Sequence, residues 1–432
     1  MAANAVSALP HIVVLGGGFA GLTFCRTFPA GRARITVIDR QNHHLFQPLL
    51  YQVAAAGLAA VDIAQPIRAI LRDQPDLTVL MSEVRAIDLA GRRVVHAQGE
   101  LTYDYLLIGL GGQTGYFGHP EWEPFAPGLK SLDDALRIRR VVLSAFERAE
   151  AESDESRRRE LTTTVVIGGG PTGVELAGTF AELARTVLRR DFEHIDPTRA
   201  RVILVEGSPR VLAAFPPDLS ASAQKQLERI GVEVRTNVHV QDIRAGEVVV
   251  AGETIRAGSI IWAAGVGAVP LTRTLGVETD RAGRLKVLPD LSLPGHPEVF
   301  AAGDLVSLVD PNAVTVPGVA QGAMQAGAHA AKLIAAELAA GGGPKAGRPA
   351  FAYVDKGNMA TIGRSAAVAQ IGKVHFSGYP AWIAWLALHL VFLVGFRNRL
   401  SVLLQWTYSY FTYKRGARII TGVSGEKSAG SA

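Results

Sequence analysis

The chain of 432 residues is long enough for two or three domains with cores of their own, and 48% hydrophobic against 19% charged residues, with a mean hydropathy of +0.19, leans more apolar than an ordinary cytosolic domain. A net charge of +5, with Lys and Arg scattered and no basic stripe interleaved with aromatics, argues against nucleic acid as a partner. The one cysteine, Cys25, excludes an internal disulfide and a dithiol relay for electrons.

Residues 1–10 lack the charged and apolar regions of a secretory signal, so the bulk of the protein is expected to stay where it is made. A strand, Ile12-Val13-Val14-Leu15, then runs into Gly16-Gly17-Gly18-Phe19-Ala20-Gly21, and Ile35-Thr36-Val37-Ile38 ends at Asp39. Strand, glycine turn, helix, strand and acid in this order form the context that a dinucleotide fingerprint requires. Gly16 permits the tight turn, Gly18 lets backbone N–H groups reach a pyrophosphate, and Gly21 allows helix and strand to pack closely. The helix N-terminus favours the phosphates, and Asp39 can accept from both ribose hydroxyls of an adenosine. Cys25, inside that helix, reads as a small buried hydrophobe.

Strand-like runs and helix-period segments keep alternating, which predicts an α/β fold with parallel sheets. The charged stretch 147–160 reads as a helix end and a solvated connector. The fingerprint then recurs: Thr164-Val165-Val166-Ile167, Gly168-Gly169-Gly170-Pro171-Thr172-Gly173, and Val202-Ile203-Leu204-Val205 ending in Glu206. Its acid lies farther from the glycines, and residues 189–201 account for the excess as an extended helix end and loop. Glu206 favours a free 2′-hydroxyl and so NADH over NADPH, with Arg210 nearby acting in the other direction. Glu175, just past the last glycine, could complement the helix dipole or serve the ligand.

A long alanine-rich helix is expected over residues 319–340, with Pro317 suited to its first turn and Gln321 and Gln325 on one face. Gly341-Gly342-Gly343-Pro344 then breaks the chain. Residues 379–413 are dense in Trp, Leu, Val, Phe and Tyr, but the uncharged run 381–396 is shorter than the roughly twenty residues of a membrane-spanning helix. A second run, 400–411, ends in Lys414, Arg415 and Arg418. Two short aromatic-rich helices with basic ends suit the interface of an anionic membrane, the alternative being a buried hairpin that closes the fold or a dimer interface.

Two fingerprints in this order, followed by Val299-Phe300-Ala301-Ala302-Gly303-Asp304, resemble the glutathione-reductase-like flavoproteins. Three strings narrow the resemblance to type II NADH dehydrogenases: Asn42-His43-His44-Leu45-Phe46-Gln47-Pro48-Leu49-Leu50-Tyr51-Gln52-Val53-Ala54, Ala320-Gln321-Gly322-Ala323-Met324-Gln325 and Asp355-Lys356-Gly357-Asn358-Met359-Ala360. The resemblance implies a membrane-attached NADH:quinone oxidoreductase that uses FAD, pumps no protons and anchors through C-terminal amphipathic helices. The implied architecture has two Rossmann-like domains, the FAD domain being split by the NADH domain. Its boundaries are 1–120 and 289–345 for FAD, 121–288 for NADH and 346–432 for the quinone site and anchor.

Motif and resemblance together assign to FAD Gly16, Gly18, Phe19, Ala20, Gly21, Asp39, Arg40, Gln47, Pro48, Val84, Gly111, Asp304, Ala320 and Gln321. To NADH they assign Gly168, Gly170, Pro171, Thr172, Gly173, Glu175, Glu206 and Gly265. Asp304 would bind the ribityl chain, and Gln47 and Pro48 would wall the isoalloxazine. The helix that carries Gln321 and Gln325 would point its dipole at the flavin's pyrimidine edge. Glu175 would lie near the nicotinamide, Gln321 and Gln325 would serve flavin and quinone, and Lys356 would steady a quinone carbonyl; no metal site is assigned.

Two departures stand out: Gly109-Leu110-Gly111-Gly112 where the family usually has Ala-Thr-Gly, which affects flavin contacts, and Ala326 where a second Gln often follows, which affects quinone affinity. The expected partners are ubiquinone or menaquinone, a lipid surface on the cytoplasmic side of a bacterial membrane, and a second copy in a homodimer. Sulfide:quinone oxidoreductases share the scaffold but need a cysteine pair. The rival readings are a soluble reductase similar to apoptosis-inducing factor, with another acceptor, and a non-enzymatic NADH sensor.

Overall fold

The computed structural model describes residues 9–345, 347–412 and 417–421. Residues 1–8, Lys414 and Arg415 lie outside them, so the reading of the N-terminus and part of the basic C-terminal cluster fall on undescribed positions. The chain divides into two compact units, one of residues 1–45, 64–113 and 266–355, the other of residues 46–63, 114–265 and 356–432.

The first unit is built on a six-stranded sheet in the order Ser292–Leu293, His296–Ala301, Tyr105–Ile108, His11–Leu15, Arg34–Asp39, Leu77–Met81. All neighbours are parallel except the outermost hairpin, with Val14 facing Val37 on one side and Leu107 on the other. Covered on both faces, its central strands are continuous apolar runs, and Ile12 to Leu15 are fully buried. The helix Phe19–Thr27 packs against the long helix Ala320–Ala339, whose small residues let the backbones meet: a Cβ on Gly327 would stand 2.3 Å from the Ala20 carbonyl oxygen. Cys25 is fully buried between these layers, and burial pushes its thiol up to about 12, so it is an inert core residue.

One charged cluster ties the end of the long helix to the sheet. Arg348 bonds Glu337 at 2.7 Å and Asp290 at 3.2 Å, donates to the Pro297 carbonyl at 2.8 Å and lies 4.7 Å over the Phe300 ring. The Tyr105 hydroxyl completes the set on Glu337 at 2.8 Å.

The second unit contains a parallel sheet in the order Val232–Arg235, Arg201–Val205, Thr163–Ile167, Ser259–Trp262. The charged stretch 147–160 is more ordered than its composition suggests. The helix Leu132–Ala151, started by a capping box of Ser131 and Asp134, is followed by a second helix, Glu155–Leu161, whose N-cap Asp154 accepts from the Arg157 N–H. Only residues 152–154 connect them, because the Asp154 cap satisfies a new helix start at once.

The helix Pro171–Glu182 runs on into a π-type turn, Leu183–Val187, and an irregular segment up to Arg201, as the spacing of Glu206 suggested. A three-stranded antiparallel sheet of Asn358–Gly363, Ala366–Ile371 and Val374–Ser377 docks on that helix, where a Cβ on Gly178 would stand 1.6 Å from the Ile362 carbonyl oxygen. The last two described helices are Tyr379–Phe392 and Phe396–Thr412.

Replacing Arg348 by Met leaves two carboxylates, each at most 10% exposed, without their counter-charge. Arg348→Met is expected to lower stability by about 3–5 kcal/mol, read as a shifted urea midpoint with unchanged slope.

Candidate functional site

Each glycine turn is shaped by backbone atoms that leave no room for a side chain. In the first unit Gly16 has φ +98°, a Cβ there would lie 2.3 Å from the Gly109 carbonyl oxygen, and a Cβ on Gly21 would lie 2.0 Å from the Gly16 oxygen. Gly18 has nothing within 4 Å of its would-be Cβ, so the approach to the helix N-terminus is open. That N-terminus has no side-chain cap, which leaves its N–H groups for an anion. Asp39 closes the turn, accepting from the Gly17 N–H and the Gln41 N–H, both at 2.7 Å, with lone pairs to spare. Burial raises its carboxyl above the ordinary carboxylate range, against the pull of those two N–H groups.

His44 went unnoticed as a contributor to this turn, its only signal being the doubled histidine of its string. Its buried ring donates from Nδ1 to the Gly17 carbonyl at 3.1 Å and meets the Phe19 ring edge-on. Burial pulls the imidazole down to about 4, so it is neutral at physiological pH.

The same unit brings Asp304 to the turn at Gly111 and Gly112 and to the start of the long helix. A Cβ on Gly112 would lie 3.2 Å from the Asp304 Cβ, and one on Gly318 3.6 Å from its Oδ1. Gly111 itself needs its φ of +72°. Pro317 is not in the first helical turn: the helix starts at Ala320, after an extended Val319 whose N–H donates to the Pro317 carbonyl at 2.9 Å. That tight turn spends the position that proline's fixed φ would have suited.

Gln321 and Gln325 follow in the helix, both half-buried. The Gln325 amide is engaged at both ends, Nε2 donating to the Val354 carbonyl at 2.9 Å and Oε1 accepting from the Val354 N–H at 3.0 Å. It clips the segment that leads to Lys356. Arg40 is exposed beside Asp39, and Val84 is half-buried at the start of the strand Val84–Asp88.

In the second unit a Cβ on Gly173 would lie 1.7 Å from the Gly168 oxygen, and Gly170 is open to 4 Å. Pro171 occupies the first helical position, and that helix also has no side-chain cap. Glu206 closes the turn, its Oε2 accepting from the Gly169 N–H at 2.5 Å and its Oε1 from the Ser208 N–H at 2.6 Å. Gly265, at φ +68°, lies against Gly115 and the Phe117 ring.

Glu175 is not in the first helical turn. It is half-buried, and desolvation pushes its carboxyl well above the usual range while a Thr361 N–H pulls the other way. Gln47 and Pro48 belong to this unit, in the single turn Gln47–Leu49, with the Gln47 amide 3.3 Å from the Lys130 carbonyl. Lys356 Nζ stands 6.0 Å from the centre of the Phe392 ring.

The last helix is inside out. Leu400, Leu403, Leu404, Tyr408 and Phe411 share an exposed face, while Asn398 and Val402 are buried. On the inner side Ser401 and Gln405 donate to Asp62 at 2.8 and 2.9 Å, and the Trp406 indole donates to Gln52 at 2.8 Å. No described helix is long and apolar enough to cross a membrane.

A family model for pyridine nucleotide-disulphide oxidoreductases matches residues 10–327, which include both glycine turns and their closing acids, and the NDH2 C-terminal domain matches residues 356–414. The chain belongs to the type II NADH:quinone oxidoreductases. It is 45% identical to the type II NADH:quinone oxidoreductase Ndh of Mycobacterium tuberculosis, over 95% of this chain and 90% of that one. NdhA of the same organism is 44% identical over 97% and 91%. The Plasmodium falciparum NDH2 structure in complex with NADH covers 96% of this chain and all of that one, with a TM-score of 0.87 at 20% identity, a likeness of fold. The activity is accordingly oxidation of NADH with reduction of quinone, and the soluble-reductase and sensor readings fall away.

The raised Glu175 carboxyl has a stability signature. Its folded-state affinity for the proton exceeds the unfolded one, so its contribution is fully present below the ordinary glutamate range and is lost as pH rises through the raised value. Glu175→Gln is expected to remove that loss, so that the variant melts above the parent at neutral pH and the gap closes on acidification, as followed by thermal melts across pH.

Proposed function

We propose that FAD is the resident cofactor of the first cradle, that NADH binds the second, and that the enzyme works from a lipid surface. The observation that carries the reading is the pair of open glycine turns, each with a carboxylate already held by the turn's own N–H. When bound, FAD accepts a hydride from NADH and passes two electrons to quinone.

The chain's residues do the rest. Gly18 and Gly170 expose backbone N–H groups to the pyrophosphates, and Asp39 and Glu206 accept from the adenosine riboses. Asp304, at the start of the long helix, holds the ribityl chain, and Gln321 contacts the flavin ring. Glu175, whose burial favours the neutral form, lies by the nicotinamide and can donate to its carboxamide. Lys356 stabilises negative charge on a quinone oxygen, and Gln325 acts on quinone through its clip on Val354. The hydride carries one of the two protons that the quinol gains, and the one net proton that remains comes from water.

Attachment rests on the outward apolar faces. Tyr379, Ile383, Leu388, Val391 and Phe392 of one helix are exposed together with the row from Leu400 to Phe411 of the next. Polar side chains turned inward and leucines turned outward suit a helix lying in a lipid interface. The proposed seat is the cytoplasmic-side face of a bacterial membrane, peripheral, where an anionic surface attracts the exposed Arg397 and Arg399.

Gln325→Ala is expected to slow reoxidation of the reduced enzyme by quinone about tenfold while reduction by NADH stays within about twofold, in stopped-flow half-reactions. The reverse pattern would falsify the assignment. Leu403→Glu with Leu404→Glu should abolish co-sedimentation with anionic vesicles while a water-soluble quinone is still reduced. Continued co-sedimentation, or a dimer that the substitutions break apart, would overturn the lipid reading.

A further inference from the structure

Along the helix Tyr379–Phe392, the side chains of Trp385, His389 and Phe392 fall on one stripe, four and then three residues apart. The stripe runs from the buried side of the helix to its exposed side: Trp385 is buried, His389 half-buried and Phe392 exposed. Trp385 is boxed in by Tyr51 and Trp406, with ring centres at 6.3 and 5.8 Å. The His389 ring stacks on Trp385 at 4.1 Å and meets Phe46 edge-on at 6.3 Å.

The imidazole is fixed in tautomer as well as in place. Its Nδ1 lies 2.8 Å from the Trp385 carbonyl oxygen, which can only accept, so the neutral ring carries its hydrogen on Nδ1 and a lone pair on Nε2. Burial pulls the imidazole down to about 4, which keeps it neutral at physiological pH. Nε2 bonds to none of the described residues and is not sealed from solvent. The far end of the stripe carries a cation, because Lys356 Nζ stands 6.0 Å from the centre of the Phe392 ring. Its segment is pinned at Gly357, where φ is +99° and a Cβ would lie 2.2 Å from the Gln370 carbonyl oxygen. An ammonium donor and an imidazole acceptor therefore share one aromatic strip, beside the exposed Leu388 and Val391 of the outward apolar face.

We infer that His389 binds the product of the reaction, its Nε2 accepting the hydroxyl hydrogen of quinol. This rests on the reading that Lys356 faces the quinone ring. A quinone carbonyl offers only lone pairs, so it gains nothing from an imidazole whose one N–H already serves a backbone carbonyl; a quinol hydroxyl has a hydrogen to give. Lys356 has donors alone and suits the oxidised or anionic ring. The bond to His389 forms as the oxygen facing it acquires its proton, and it favours the reduced ring over the oxidised one.

The test uses the FAD-loaded enzyme, titrated anaerobically in a calorimeter with a short-chain benzoquinone and, separately, with its quinol. His389→Phe keeps a ring on Trp385 and deletes the acceptor. It is expected to raise the ratio of the quinol Kd to the quinone Kd about tenfold, the loss of one hydrogen bond. His389→Gln should restore part of the preference for quinol, because its amide oxygen accepts. Lys356→Met should weaken the quinone and slow reoxidation of the reduced enzyme.

A ratio that stays put in His389→Phe overturns the inference. Equal weakening of quinone and quinol in both His389 variants makes the ring a wall of the strip and overturns it too. If Lys356→Met leaves quinone binding and reoxidation unchanged, the placement of the quinone fails; an effect at Lys356 with none at His389 strikes His389 alone.

Discussion

Both glycine turns depend on one close approach, that of a helix backbone to the strand turn beneath it. Where other residues carry a Cβ, Gly21 and Gly173 face the carbonyl oxygens of Gly16 and Gly168, at 2.0 and 1.7 Å from the atom they lack. With the helix seated that low, the middle glycine's N–H lies within reach of the acid at the end of the neighbouring strand, at 2.7 Å for Asp39 and 2.5 Å for Glu206. The carboxylate is therefore held in one orientation by the turn's own backbone. Two copies of this arrangement occur in a chain whose single cysteine is buried, so no dithiol relay is available to it.

In the second unit the same helix serves more than the glycine turn. The helix Pro171–Glu182 meets the cradle at Gly173 and the C-terminal sheet at Gly178, where the missing Cβ admits the Ile362 carbonyl. One turn of helix separates the two contacts, and Glu175 falls between them, reached by the Thr361 N–H of that sheet. The sheet in turn starts the apolar helices, with the Gly378 N–H donating to the Ala367 carbonyl at 2.8 Å just before Tyr379. The glycine turn, Glu175 and the exposed apolar faces are thus joined through packed backbone, with no room for a Cβ at Gly173 or Gly178.

What could be read in the sequence follows from how local the physics is. The fingerprints were legible because glycine spacing, strand periodicity and terminal acid all act within one supersecondary unit, and the long alanine-rich helix came out within a residue of Ala320–Ala339. The helix Glu155–Leu161 was hidden because charge alone says nothing about a cap, and Asp154 decides the matter. Pro317 was misplaced for a similar reason, since its fit to a first turn gives no warning that the Val319 N–H will close a tighter turn on it. The clip from Gln325 to Val354 spans 29 residues and leaves no periodic trace. The grouping of residues 46–63 with the second unit is equally non-local.

The last helix shows why such distant polar contacts matter. An apolar outer face gives a helix affinity for its surroundings but no orientation, because leucines pack equally well over many rotations. Orientation has to come from directional bonds on the inner face. Asp62, only 4% exposed, would be costly to bury alone, yet it accepts from the Ala59 N–H at 2.8 Å as well as from Ser401 and Gln405. Three donors satisfy one carboxylate only when the helix is turned with Ser401 and Gln405 inward, and that rotation is the one that puts Leu400, Leu403, Leu404 and Tyr408 outward. The polar latch thus selects the face that the leucines present, and the Trp406 bond to Gln52, one residue further along the same helix, fixes its position along the axis.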